Sequence, residues 1–174
     1  THTFSLKRPS GIAGATFAEG DPISICGPGN IKALDLTNVS ERLKEFNLVA
    51  SDQKAADMNL LQKLVLGNTS KTNNVLNGIT VTNAPNLKYL DITNLKAITS
   101  LDLINQIYLE ELHASKSGLT GVSFKSGANI KVLELPSSMI SLDLKDHVNL
   151  TASNIKFDNN DLSKYDTTKT IMVD

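Results

Sequence analysis

Two apolar residues flanking one variable residue recur along this chain, each triplet followed by a polar turn. From Asn86 to Phe157 the triplets are Leu90-Asp91-Ile92, Leu101-Asp102-Leu103, Leu112-His113-Ala114, Val122-Ser123-Phe124, Leu133-Glu134-Leu135, Leu142-Asp143-Leu144 and Ile155-Lys156-Phe157. Successive triplets start 9 to 13 residues apart, and alternate ones (Leu90, Leu112, Leu133, Ile155) start 22, 21 and 22 apart. Apolar-polar-apolar alternation predicts a short strand with one buried face. A three-residue strand cannot hide that face alone, so equivalent strands must stack one coil apart, their inward side chains forming a continuous column.

The pattern extends towards the N-terminus with longer spacings, through Ile23-Ser24-Ile25, Leu34-Asp35-Leu36, Phe46-Asn47-Leu48, Leu64-Val65-Leu66 and Ile79-Thr80-Val81. Read alternately, Leu34, Leu64, Leu90, Leu112, Leu133 and Ile155 belong to one sheet. Ile23, Phe46, Ile79, Leu101, Val122 and Leu142 belong to a second sheet facing it. The fold class this predicts is a β-rich solenoid: short parallel strands in two facing sheets, about 22 residues per coil, about five coils and few or no helices. A right-handed parallel β-helix is the alternative, although three strands per coil are usual there.

Residues 1–22 carry no triplet and are read as an N-terminal cap or linker, 23–157 as the solenoid, and 158–174 as a C-terminal cap or connector in which Ile171-Met172-Val173 offers a closing strand. The insertions in the early coils read as a short helix over Ser51–Met58 and a polar, exposed loop over Thr69–Asn77. Asn follows many strands (Asn38, Asn68, Asn83, Asn94, Asn105, Asn159), where its side chain can satisfy backbone groups as the ladder ends.

The segments Asn86-Leu87-Lys88-Tyr89-Leu90-Asp91-Ile92 and Asn129-Ile130-Lys131-Val132-Leu133-Glu134-Leu135 fit an LxxLxL frame. Leu133-Glu134-Leu135-Pro136-Ser137-Ser138-Met139-Ile140-Ser141-Leu142 adds a strand-Pro-Ser-Ser-apolar unit. In these the chain resembles a divergent leucine-rich-repeat solenoid of BspA-like type over about residues 30–157. The resemblance implies recognition or scaffolding, in bacterial surface proteins or in large assemblies such as phage virions.

Composition narrows the chemistry. The chain has 174 residues, 40% of them hydrophobic, no Trp, and a formal net charge of -1. The balance lacks the basic excess of a nucleic-acid surface. Cys26 is alone, so an internal disulfide or cysteine metal cluster is excluded. No apolar run reaches the ~18 residues needed to span a bilayer, so no membrane insertion is expected.

The outward residue of each triplet forms a line along its sheet. On the first sheet this line is Asp35, Val65, Asp91, His113, Glu134 and Lys156; Tyr89, Glu111 and Val132 lie beside it, with Thr93, Ser115 and Pro136 on the other flank. Tyr89, Asp91, Glu111, His113, Val132, Glu134 and Lys156 are the candidate binding face, a mixed polar surface with one aromatic that suits a protein partner. Asp91, His113 and Glu134 are ligand types for a divalent metal, but a ladder in which His113 and Lys156 offset carboxylates explains them, and no metal is assigned. On the second sheet Asp102 and Asp143 would lie ~10 Å apart with Ser123 between them, near the separation of two carboxylates in inverting glycoside hydrolysis. The repeat itself imposes that spacing, and no catalytic residue or cofactor is assigned.

The functional expectation is a non-enzymatic protein-interaction or structural scaffold module of a surface or virion assembly, binding a protein partner or neighbouring subunit. The alternatives are glycan or host-receptor recognition and, third, a carbohydrate-active enzyme. The expected location is extracellular, at a cell surface or on a virion.

Overall fold

The computed structural model describes residues 3–4, 23–25, 32–42, 46–48, 60–82, 84–144, 146–147, 149–158 and 171–172. The expected helix over Ser51–Met58, and Cys26, lie outside these residues. The chain is a parallel β-solenoid with about 22 residues per turn and no α-helix among the described residues. Among the described residues each regular coil carries two named strands, with an isolated parallel bridge, Asn73 to Leu95, at a third corner.

Among the described residues one sheet runs through every coil. Its seven parallel strands, in spatial order, are β1 (Thr3–Phe4), β3 (Ala33–Asp35), β5 (Lys63–Val65), β7 (Tyr89–Asp91), β9 (Glu111–His113), β11 (Val132–Leu135) and β13 (Ile155–Phe157). The register is the one the spacing predicts: Leu34 pairs with Leu64, Leu64 with Leu90, Leu90 with Leu112, Leu112 with Leu133, and Leu133 with Ile155. The strands of β3 to β9 begin one residue before the triplets, but pairing still reaches the second apolar position. Ile92 N–H donates to the His113 carbonyl at 2.8 Å and Ala114 N–H to that of Glu134 at 2.7 Å. The regular part, β5 to β13, makes about four turns, and the step before it, from Leu34 to Leu64, is longer. The ladder also extends into the segment read as a cap, where Thr3 and Phe4 pair with Ala33 and Leu34.

The second face is not one sheet. Its strands join in three groups: β2 (Ile23–Ile25), β4 (Phe46–Leu48) and β6 (Ile79–Thr80); β8 (Ser100–Leu103) with β10 (Gly121–Phe124); and β12 (Leu142–Asp143) with β14 (Ile171–Met172). The closing strand expected at Ile171 therefore forms, paired with Leu142. The expected continuous line from Ile79 through Leu101 and from Val122 to Leu142 is interrupted. At the second break the rhythm of the chain changes. The corner entering β12 is the shortest of the regular part. From Leu142 to Ile155 the triplet spacing is 13 residues, against 11 for the three equivalent steps before it, and this longer corner holds the 3-10 turn Ala152–Asn154.

The core follows from the frame. Leu61, Leu64 and Leu66; Leu87, Leu90 and Ile92; Leu109, Leu112 and Ala114; and Ile130, Leu133 and Leu135 are all fully buried. A parallel column of Leu76, Ile98, Leu119 and Met139 fills the opposite corner. Where coils approach most closely no side chain fits: a Cβ on Gly118 would lie 2.0 Å from the Lys96 carbonyl oxygen.

Asparagine ties the corners together. Asn68 Nδ2 donates to the Thr37 carbonyl at 2.9 Å, and Asn94 Nδ2 repeats this one coil later to the Asn68 carbonyl at 2.7 Å. Asn38 and Asn105 are exposed and make no such bond, and Asn83 and Asn159 lie outside the described residues. The expected loop over Thr69–Asn77 is exposed at most positions, but it is pinned by two buried residues, Asn73 and Leu76. Asn73 Oδ1 accepts the N–H groups of Val75 and Leu76, both at 2.8 Å, and Asn73 N–H donates to the Asn94 carbonyl.

Two predictions follow from this packing. Leu112→Asp places an unpaired charge in the leucine column and is expected to cost ~3 kcal/mol or more in urea denaturation; unchanged stability would contradict the register. Lys116 occupies the position of Asn94 one coil on, and both are left-handed, at φ 55 and 62. Because Asn tolerates that conformation better, Lys116→Asn is expected to raise stability by ~0.5–1 kcal/mol in the same assay.

Candidate functional site

The candidate residues occupy adjacent strands of the seven-stranded sheet, as the register requires. Tyr89 pairs with Glu111 and Glu111 with Val132, while Asp91, His113, Glu134 and Lys156 follow one another in the next row. Six of the seven are half-buried and Lys156 is exposed. Two expectations for this face change. Val65, in the outward row, is buried, so an apolar position separates Asp35 from Asp91. On the far flank Thr93 and Pro136 are buried and only Ser115 is partly open, so that line adds little to the surface.

His113 is the centre of the arrangement. Its Nδ1 lies 2.7 Å from Glu134 Oε2 and its Nε2 3.1 Å from Glu111 Oε2. Ionised carboxylates only accept hydrogen bonds, so both contacts are satisfied together only when both ring nitrogens carry protons. The geometry therefore selects the imidazolium, which clamps β9 to β11. Burial alone would push the His113 pKa down; the hydrogen bonds to Glu134 and Glu111 outweigh it and raise the pKa above the usual histidine value. For Glu134, burial pushes the pKa up, but the bond to His113, together with Lys156 Nζ at 3.4 Å, brings it below the usual carboxylate value.

Tyr89 stacks on the other side of this clamp. Its ring centroid is 4.7 Å from that of His113 with 30° between planes, and Lys63 Nζ sits 4.4 Å from the Tyr89 centroid. The phenol is thus placed between two cationic groups. Its own ionisation is suppressed: burial, then the carboxylates of Asp91, Glu111, Glu134 and Asp35, push its pKa up to about 12.

Asp91 takes no part in the clamp. Its Oδ1 accepts the N–H of Thr93 at 2.8 Å, as Asp35 accepts Thr37 N–H at 2.9 Å and Asp102 accepts Ile104 N–H at 3.1 Å. An aspartate at mid-strand thus turns the chain two residues later, which accounts for this residue type without a ligand. Among the described residues no group of three or more His, Cys, Asp or Glu side chains is placed to hold a metal ion. On the second face Asp102 pairs with Ser123, but the strand carrying Asp143 is not joined to that ladder, so the row of Asp102, Ser123 and Asp143 is broken.

Sequence reasoning missed three features. Lys63 precedes Leu64 as Tyr89 precedes Leu90, so the register already placed it in Tyr89's row. Ile104, Ile107 and Tyr108 form an exposed apolar turn after β8, without any pattern that sets it apart from the buried apolar positions. The break beside β10 leaves a depression that no triplet signals. The chain matches no protein-family model, no curated protein and no solved structure. No helix among the described residues is long and apolar enough to cross a membrane.

The clamp makes stability depend on pH. A histidine whose folded pKa is raised stabilises fully below its unfolded value, ~6.5, and loses this as pH rises through the folded value; a depressed Glu134 stabilises above its unfolded value, ~4.3, and loses this on acidification. The clamp's contribution is therefore expected to be greatest at about pH 5–6.5. Urea denaturation should show it falling by pH 9 in the parent but not in His113→Gln. A parallel fall in both proteins would contradict the clamp.

Proposed function

We propose that this chain is a non-enzymatic interaction module: a rigid scaffold domain, of a surface or virion assembly, whose seven-stranded sheet meets a protein partner or neighbouring subunit through its outer face. The observation that carries this reading is the cluster of Lys63, Tyr89, Glu111, His113 and Glu134. It is an aromatic and a set of charges of both signs, held in place by one another on a continuous parallel sheet. Side chains already ordered lose little entropy on association, which favours recognition by a folded partner. Interspersed charges suit a protein surface, whereas a polyanion would meet Asp35, Asp91, Glu111 and Glu134. The outward aspartates serve their own backbone, and this supports a non-catalytic reading.

The same proposal assigns the chain to a divergent, BspA-like branch of the leucine-rich repeats. In its support, the LxxLxL frame is buried in every coil from Leu61 to Leu135. The surface or virion setting and an extracellular location come from that resemblance.

Lysines frame the proposed face: Lys63 and Lys156 on it, Lys88 and Lys131 in the corner leading to it. Cross-linking mass spectrometry of the protein in its native source should join these four to other polypeptides, and Glu111→Lys/Glu134→Lys should abolish the links. Intermolecular links confined to Lys96, Lys116 or Lys125, unaffected by the double variant, would contradict the proposed face.

A further inference from the structure

The second face opens between β10 and β12. Before the strands the coils are held together: Ile140 N–H donates to the Thr120 carbonyl at 2.9 Å and Ser138 Oγ to the Leu119 carbonyl at 2.6 Å. The strands themselves then take different partners, β8 and β14. Where they part is a half-open depression of about 220 Å3. Val122 and Phe124 give it an apolar wall. Ser123, Ser126, Asp143 and Asp146 line it with polar groups, and His147 completes it.

Part of this lining is fixed. His147 is buried, and its Nδ1 donates to the Ala128 carbonyl at 2.9 Å. Its ring meets the half-buried Phe124 edge-on, with centroids 5.6 Å apart and planes at 78°, which holds the phenyl ring in place. Ser126 Oγ donates to Asp146 Oδ2 at 2.7 Å and orients that carboxylate.

We propose that this depression binds the terminal unit of a saccharide. An apolar wall with an aromatic ring matches the C–H face of a sugar ring. Carboxylates accept from its hydroxyls, and serine hydroxyls both donate and accept. The volume is below the roughly 300–1,000 Å3 of sites for drug-sized ligands, which suits one ring rather than an enclosed chain. The open side leaves room for the rest of a glycan to extend into solvent. An alkylammonium would use the two carboxylates but not the hydroxyl donors. The site lies on the second face, away from the His113 clamp, and so is independent of the proposed protein-binding face.

The test is an NMR titration of the full chain with the methyl glycosides of glucose, galactose, mannose and N-acetylglucosamine, each to tens of millimolar, and separately with n-butylammonium chloride. The expected result is saturable binding of at least one glycoside that shifts the amides of Ser123, Phe124 and His147. Asp146→Asn and Phe124→Leu should each weaken it about tenfold, while Glu134→Gln on the other face leaves it unchanged. Asp146 is exposed, so its variant should keep the fold. Three results would overturn the proposal: no saturable shift with any glycoside, a response to butylammonium alone, or unaltered glycoside binding in Asp146→Asn.

Discussion

Stacking of one coil on the next holds this molecule together. Leu64, Leu90, Leu112 and Leu133 each rest on the equivalent residue of the neighbouring coil, and the strands that carry them exchange backbone hydrogen bonds with the same neighbours. Burying each leucine contributes roughly 1.5–3 kcal/mol, and no coil can realise this alone. The constraint acts in one dimension: a coil must match its neighbours in register but not in the length of its corners. That is why long corners are accepted early in the chain, and why the second face can break into three groups while the first remains continuous.

The same constraint decided what could be read from the sequence. Register was legible because alternation and spacing both specify it, and a slip of one residue would turn Leu112 outward and His113 inward. The pairing of Thr3–Phe4 with β3 was not legible, since a two-residue strand far from its partner leaves no period. The breaks in the second face were also hidden. The triplets at Ile79, Leu101, Val122 and Leu142 look alike, and what separates them is corner geometry. Asparagine as a corner residue was legible in kind, yet of the four such residues that are described only Asn68 and Asn94 reach a carbonyl of the preceding coil.

On the outer face the order of residues is legible in the spacing, whereas their contacts are not. Asp91, His113 and Glu134 share one row, as their spacing implies, but which of them interact depends on side-chain direction. Asp91 turns to its own backbone, and His113 reaches across to Glu134 and along its own strand to Glu111. A row that spacing alone offers as a metal site or a solvated ladder is a histidinium clamp beside a tyrosine. The physical difference is that each ring nitrogen of His113 already faces a carboxylate.

The register of the first sheet underlies every one of these placements, and backbone NOE measurements on the isotopically labelled chain test it most directly. The account predicts interstrand cross-peaks linking Leu90 to Leu112, Leu112 to Leu133, and Leu133 to Ile155. Cross-peaks displaced by one residue, or absent between these strands, would contradict it.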